Sequence, residues 1–163
     1  LHLTHTHSAP IADLRAEELM AATSKPLKHL DLEWFGRITA QAGDAVRGAL
    51  TRWQPVTQVG YGQARVERFA SSRRVPGPDG KIRVRYSSTK DVFLREAPEG
   101  SIDPWLRTVT FYDGETPRVR MHYYASHPQS FYGDGTVHPD TPGLARSYLE
   151  QEEGVPQLYF TGC

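Results

Sequence analysis

Leu106-Arg107-Thr108-Val109-Thr110-Phe111-Tyr112-Asp113-Gly114-Glu115, followed at once by the run Arg118-Val119-Arg120-Met121-His122-Tyr123-Tyr124, is the stretch whose reading decides the fold. β-Branched and aromatic residues crowd both halves, as they do on pleated, half-buried strands. Tyr112-Asp113-Gly114-Glu115 supplies the turn between them, with glycine free to take a positive φ. The stretch therefore reads as a β-hairpin. Shorter β-prone runs lie around it at 56–61, 64–69, 82–86 and 92–94, and Val155 to Phe160 reads as a closing buried strand. Pro76-Gly77-Pro78-Asp79-Gly80 is a second tight connection, because proline fixes φ at a turn corner.

Helical periodicity occurs on both sides of this β-rich middle. From Asp31 to Trp53 the residues Phe35, Ile38, Ala42, Val46, Ala49 and Trp53 recur at spacings of three and four, which puts them on one helix face. Asp31 is placed to cap its first turn, and Gln54-Pro55 closes it. A shorter helix is expected around Leu14 to Ala22, ending near Pro26. Asp140-Thr141-Pro142-Gly143 precedes another, with Leu144, Tyr148 and Leu149 on one side. Helix and strand are interspersed, in an α/β or α+β arrangement. The expected form is α/β, a mixed sheet with flanking helices. With no repeat, low-complexity tract or linker to split them, residues 1–163 are taken as a single, partial domain.

Composition excludes some partners. Lys and Arg number 19, Asp and Glu 19, for a formal charge of zero. Such a chain has no overall field to attract a phosphate backbone, so nucleic acid is not expected. The pairs Arg73-Arg74 and Arg83-Arg85 read as solvated strand or loop. A single cysteine, Cys163, rules out a disulfide within the chain and a cysteine-rich zinc site, which leaves His, Asp, Glu or Tyr to hold any metal. No stretch reaches the ~20 apolar residues of a membrane span. The sequence starts without Met in the strand-like Leu1-His2-Leu3-Thr4 and stops at Thr161-Gly162-Cys163 after an apolar run. The expectation is an internal piece, with some groups needed for chemistry lying outside it.

The opening Leu1-His2-Leu3-Thr4-His5-Thr6-His7 alternates with period two. As a strand it would put Leu1, Leu3, His5 and His7 on one side, so that His5 and His7 could approach a single ion before Ser8-Ala9-Pro10 breaks the ladder. The same two rings could equally be satisfied by hydrogen bonds. A second imidazole site follows the decisive hairpin, where Tyr124-Ala125-Ser126 leads to His127-Pro128 and the chain must turn. His122, mid-strand, reads as a packed or surface histidine, and His138 as a loop residue beside Asp140.

These residues resemble a known family. Thr4-His5-Thr6-His7-Ser8-Ala9-Pro10 is similar to the Thr-His-Thr-His-Ser-Gly-Pro signature of neutral ceramidases and their bacterial relatives. Tyr124-Ala125-Ser126-His127-Pro128-Gln129-Ser130 resembles that family's second metal segment. Asp140-Thr141-Pro142-Gly143-Leu144-Ala145, with Tyr148-Leu149-Glu150, resembles its Asp-x-x-Gly helix start. Leu158-Tyr159-Phe160-Thr161-Gly162-Cys163 is similar to the strand before its Gly-Asp-Val segment. The four matches keep the family's order over nearly the whole chain.

The resemblance implies Zn2+ as cofactor, with His5 and His127 as metal ligands. His7 would stand beside the metal, steadying the reacting carbonyl or the leaving group. Ser72-Arg73-Arg74 resembles the family's Asn-Arg segment, with Ser in place of Asn, and makes Arg73 an oxyanion or substrate contact. Ala9 stands where the family has Gly, which a loop without positive φ would tolerate. The family completes its site with a Glu and a Tyr from further downstream, and no part of residues 1–163 matches those segments.

The implied function is hydrolysis of an amide bond, in a ceramide-like N-acyl lipid or a related small molecule, by attack of zinc-bound water. Secretion or a periplasmic location, and peripheral contact with a membrane surface, come with it as expectations. One alternative is a non-catalytic domain of the same fold with a degenerate or structural metal site. Another is a self-contained site in which His5, His7 and His127 all bind one ion, as in a three-histidine hydrolase or hydratase.

Overall fold

A computed structural model describes residues 2, 4–133 and 135–162. The chain forms two units, Ala9–Pro55 and the combination of Leu1–Ser8 with Val56–Cys163. In the first unit, Asp13 caps α1 (Leu14–Ala21) by accepting from the Ala16 amide at 2.9 Å. Glu17 of α1 accepts from the amides of His29 and Leu30 and meets the His29 ring at 2.6 Å, which closes the connection over the buried Leu30. Asp31 then caps α2 (Leu32–Ala49), accepting from the Trp34 amide at 3.0 Å. This is the expected cap and helix. It stops short of Trp53 because the Thr51 hydroxyl and the Arg52 side chain both donate to the Gly48 carbonyl, taking the acceptor that a further turn would use.

The second unit carries the sheet. β1 (Gln58–Arg65), β2 (Arg74–Pro76) and β3 (Ile82–Val84) come first, then the short helix α3 (Val92–Glu96), β4 (Trp105–Asp113), β5 (Thr116–Tyr124), α4 (Asp140–Glu153) and β6 (Gln157–Thr161). β4 and β5 are the expected hairpin, with Asp113 opposite Thr116 and Gly114 at φ 58° in the turn. β1 adds antiparallel to β4, from Gln58 opposite Tyr112 to Arg65 opposite Trp105. β6 adds parallel to β5, with α4 as the crossover that a parallel pair requires. The strand order β1-β4-β5-β6 is a mixed sheet, and with its helices the fold is α/β. β2 and β3 pair separately around the proline- and glycine-rich turn, where the Gly77 amide donates to the Lys81 carbonyl at 2.8 Å.

Three strand expectations change. Residues 92–94 lie in α3, because the Asp91 side chain accepts from the Phe93 amide at 2.9 Å and its carbonyl from Arg95 at 2.9 Å, which starts a helical turn. The run 64–69 is strand only to Arg65; Arg68 sits at φ 58° with its amide on the Glu99 carboxylate, off the ladder. The opening segment is not a strand at any described residue, since His5 adopts φ 58° and so breaks the period-two alternation. Leu1 and Leu3, which would have shared its apolar face, lie outside the described residues.

One face of the sheet brings Leu106, Thr108 and Thr110 of β4 beside Tyr124, His122 and Arg120 of β5. His122 is 8% exposed and fully engaged: one ring nitrogen is 2.8 Å from the Thr108 hydroxyl, the other 2.7 Å from Gln157 Oε1. Of the two readings the sequence leaves open, packed or surface, His122 is the packed one.

Candidate functional site

The carboxyl ends of the parallel strands β5 and β6 lie side by side, where open α/β sheets tend to place their ligands. Beyond β5 the chain runs through Ala125 and Ser126 to His127. Beyond β6, Gly162 donates its amide to the Tyr124 carbonyl at 2.8 Å and approaches the Ala125 backbone so closely that a Cβ would stand 3.0 Å from the Ala125 nitrogen. The opening segment is tied to the same strand end: the Thr161 amide donates to His2 Nε2 at 3.0 Å. Two loops, from opposite ends of the sequence, are thus brought to one edge of the sheet.

Three imidazoles meet there. His7 Nε2 is 2.6 Å from His127 Nε2. The ring centroids are 5.2 Å apart for His5 and His7, 4.9 Å for His5 and His127, and 4.7 Å for His7 and His127. A ligand nitrogen from each lies within 4.8 Å of the others, and all three residues are exposed. His5 reaches the other two rings from a backbone at φ 58°, a local departure from strand geometry. Among the described residues no carboxylate joins this group.

The donor set fits a metal. Zinc takes imidazole nitrogens at about 2.0–2.1 Å, which at a tetrahedral angle separates neighbouring nitrogens by about 3.3 Å. The His7–His127 nitrogen separation of 2.6 Å and the 4.8 Å limit on the set lie on either side of that value. The pKa of His127 is lowered first by desolvation, then by the neighbouring His7, His5 and Arg73, with Asp140 acting in opposition. A histidine held neutral keeps the lone pair that a metal needs.

Arg73 stands next to this group. It is exposed, and its Nη2 donates to Gln129 Oε1 at 2.9 Å, two residues after His127. Its backbone is fixed by Arg85, the one member of the two arginine pairs that departs from the solvated reading, since Arg73, Arg74 and Arg83 are exposed. Arg85 is buried, and its guanidinium donates to the carbonyls of Ser72, Leu94, Ala97, Pro98 and Glu99, while its amide donates to the Arg73 carbonyl at 2.8 Å. A planar five-donor fork can satisfy several carbonyls at once. No sequence signal separates Arg85 from Arg83, since both sit in one alternating run.

His138 is not part of the group. Its Nδ1 accepts from the Asp140 amide at 2.9 Å and its ring stacks on Phe131 at 4.0 Å. Ala9 is not among the residues with positive φ, so alanine is accommodated there without strain. Sequence reading did not single out Ser8 or Gln129 for the site, and it saw Asp140 only as the start of a helix. Their adjacency to the histidine motifs was the available signal.

Behind His127, an apolar cavity of about 210 Å³ opens between the sheet and α4, lined by Val66, Phe69, Leu106, Tyr124, Leu149 and Tyr159. His127 and Pro128 form part of its wall. Among the described residues the buried Tyr124 hydroxyl has no hydrogen-bond partner. Comparison of the chain with protein-family models, with curated proteins and with solved structures found no match.

Proposed function

We propose that this chain carries the histidine part of a zinc-dependent hydrolase that cleaves amide bonds, of the kind its resemblance to neutral ceramidases implies. The observation that carries the reading is the convergence of His5, His7 and His127 from segments far apart in sequence onto one strand end. Zinc bound there would supply Lewis acidity, the chemistry that eases the ionisation of water towards pH ~7 and polarises an amide carbonyl. His5 and His127 would hold the ion through their ring nitrogens. His7 is close enough to donate to the carbonyl or the leaving group, and Arg73, oriented by Gln129, offers a positive charge to a developing oxyanion. The apolar cavity beside His127 favours a substrate with a hydrocarbon portion, such as an N-acyl lipid. Contact with a membrane surface and export are part of the same proposal and rest on the resemblance. Among the described residues no helix is long and apolar enough to cross a membrane.

The test is zinc content and affinity of the purified chain after dialysis against a weak chelator, beside His5→Ala and His127→Ala. Retention by the wild type and loss in both variants is the expected result. Absence of zinc from the wild type would sink the proposal for this chain.

A second reading has its own support. His7 lies nearer to His127 than His5 does, so a three-histidine site in which His7 is itself a ligand competes with the flanking role. His7→Ala separates them: a flanking His7 leaves zinc affinity in place, whereas a ligand loses it as His5→Ala does.

A further inference from the structure

Two buried polar side chains grip the loop that carries His127, one from each side, and neither belongs to the ligand set. Asp140 is 0% exposed and sits at φ 55°, a left-handed conformation rare for a residue with a side chain. Its carboxylate accepts from the amides of Ser130 at 3.1 Å, Phe131 at 3.1 Å and Thr141 at 2.7 Å. A helix cap ordinarily accepts from amides two or three residues further along its own helix. Here the Ser130 and Phe131 donors belong to the histidine loop instead. Among the described residues, no lysine or arginine forms an ion pair with Asp140. Burial opposes its charge, but the backbone donors outweigh burial and hold its pKa below the ordinary carboxylate value.

From the other side comes Ser8, also buried and next in sequence to His7. Its hydroxyl donates to the Phe131 carbonyl at 2.9 Å, and its own carbonyl accepts from the His138 amide at 2.8 Å. His138 in turn accepts from the Asp140 amide. Both backbone groups of Phe131 are therefore held, its N–H by Asp140 and its C=O by Ser8. Through that one residue the segment bearing His7 and the segment bearing His127 share a mechanical link.

We propose that Asp140 and Ser8 are positioning residues of the histidine centre: by clamping Phe131 from both sides they set the separation of His7 and His127. The claim about separation stands on the metal-free geometry; its consequence for affinity rests on the metal-centre reading above. Loss of outer-shell partners typically lowers metal affinity about 10–100-fold.

The experiment uses the full chain, Ser8→Ala and Asp140→Asn. Nuclear Overhauser contacts between the His7 and His127 rings are measured without metal, and Co2+ affinity by titration of the visible spectrum. The expected result is a ring contact in the wild type that weakens in both variants, with Co2+ affinity about 10–100-fold lower, and with far-UV circular dichroism of Ser8→Ala unchanged. Retained contact and affinity in the variants would overturn the proposal. So would an affinity loss with the contact intact or no contact in the wild type, whereas a contact loss with affinity intact upholds the positioning claim and makes His7 a flanking group. Should the wild type show the ring contact, lose it in the variants and yet bind no Co2+, the positioning claim stands and the metal-centre reading falls. Should Asp140→Asn not fold, Ser8→Ala decides on the same criteria.

Discussion

His122 and the trio His5, His7 and His127 are the same side chain put to opposite uses by two kinds of backbone. His122 sits in a regular strand, where its neighbours are dictated by register: Thr108 across the hairpin and Gln157 on the strand beyond take both ring nitrogens. Nothing remains to offer a ligand. The other three sit on irregular backbone beyond strand ends, exposed, with their nitrogens facing one another. Regular structure satisfies polar groups locally, whereas loops held by other parts of the fold can leave several unsatisfied groups pointing at one place.

The contrast can be broken most forcefully at the trio. His127→Ala is expected to lower zinc affinity by more than about 100-fold, or about 2.7 kcal/mol, exceeding what an outer-shell loss produces. Equilibrium dialysis with a competing chelator measures it, and unfolding in urea should change little. At His122 the pattern inverts. His122→Leu strands the Thr108 hydroxyl and Gln157 Oε1 in a buried setting and should destabilise the chain by about 2–3 kcal/mol while leaving zinc affinity in place. A urea midpoint unchanged by this substitution would show that the buried network is not satisfied as described.

Two smaller effects sharpen the comparison. His5 holds a positive φ that alanine tolerates poorly and glycine readily. His5→Gly should therefore be more stable than His5→Ala by about 1 kcal/mol; equal stabilities would argue for extended backbone at this position. The smallest effect is a pH dependence. Because the folded pKa of His127 is lowered from 6.5, the unfolded chain binds the extra proton first. The contribution is absent above pH 6.5 and appears as a loss of stability as pH falls from there towards the lowered value. Metal-free wild type should lose slightly more stability across that window than His127→Ala does, as read by urea midpoints at successive pH values.

Several elements were legible because a single local rule decided each. Asp31 announces α2 through its cap, and Tyr112-Asp113-Gly114-Glu115 announces the hairpin through turn chemistry. His127 was legible as a histidine at a strand end before proline. The described residues of 1–7 depart from the expected strand because alternation of side chains is necessary for a half-buried strand and not sufficient. It says nothing of a positive φ at His5, which is met by the loops around it. Residues 92–94 were misread because three apolar residues carry no period, and the Asp91 cap decided the matter. Arg85 was hidden for a different reason: its partners are backbone carbonyls spread over 72–99, and backbone leaves no mark in the residue types. Asp140 was visible as a helix start, but its grip on Ser130 and Phe131 depends on where that loop returns in space.

His7 and His127 are separated by 120 positions in the chain. Bringing them together closes a long stretch of chain, and closure over such distances is entropically slow. The site is accordingly a late event in the history of each molecule. An ion that needs rings from both segments cannot guide the early steps of folding. It can only recognise a chain that has finished, and by staying bound it would lengthen the lifetime of the folded state without hastening its arrival.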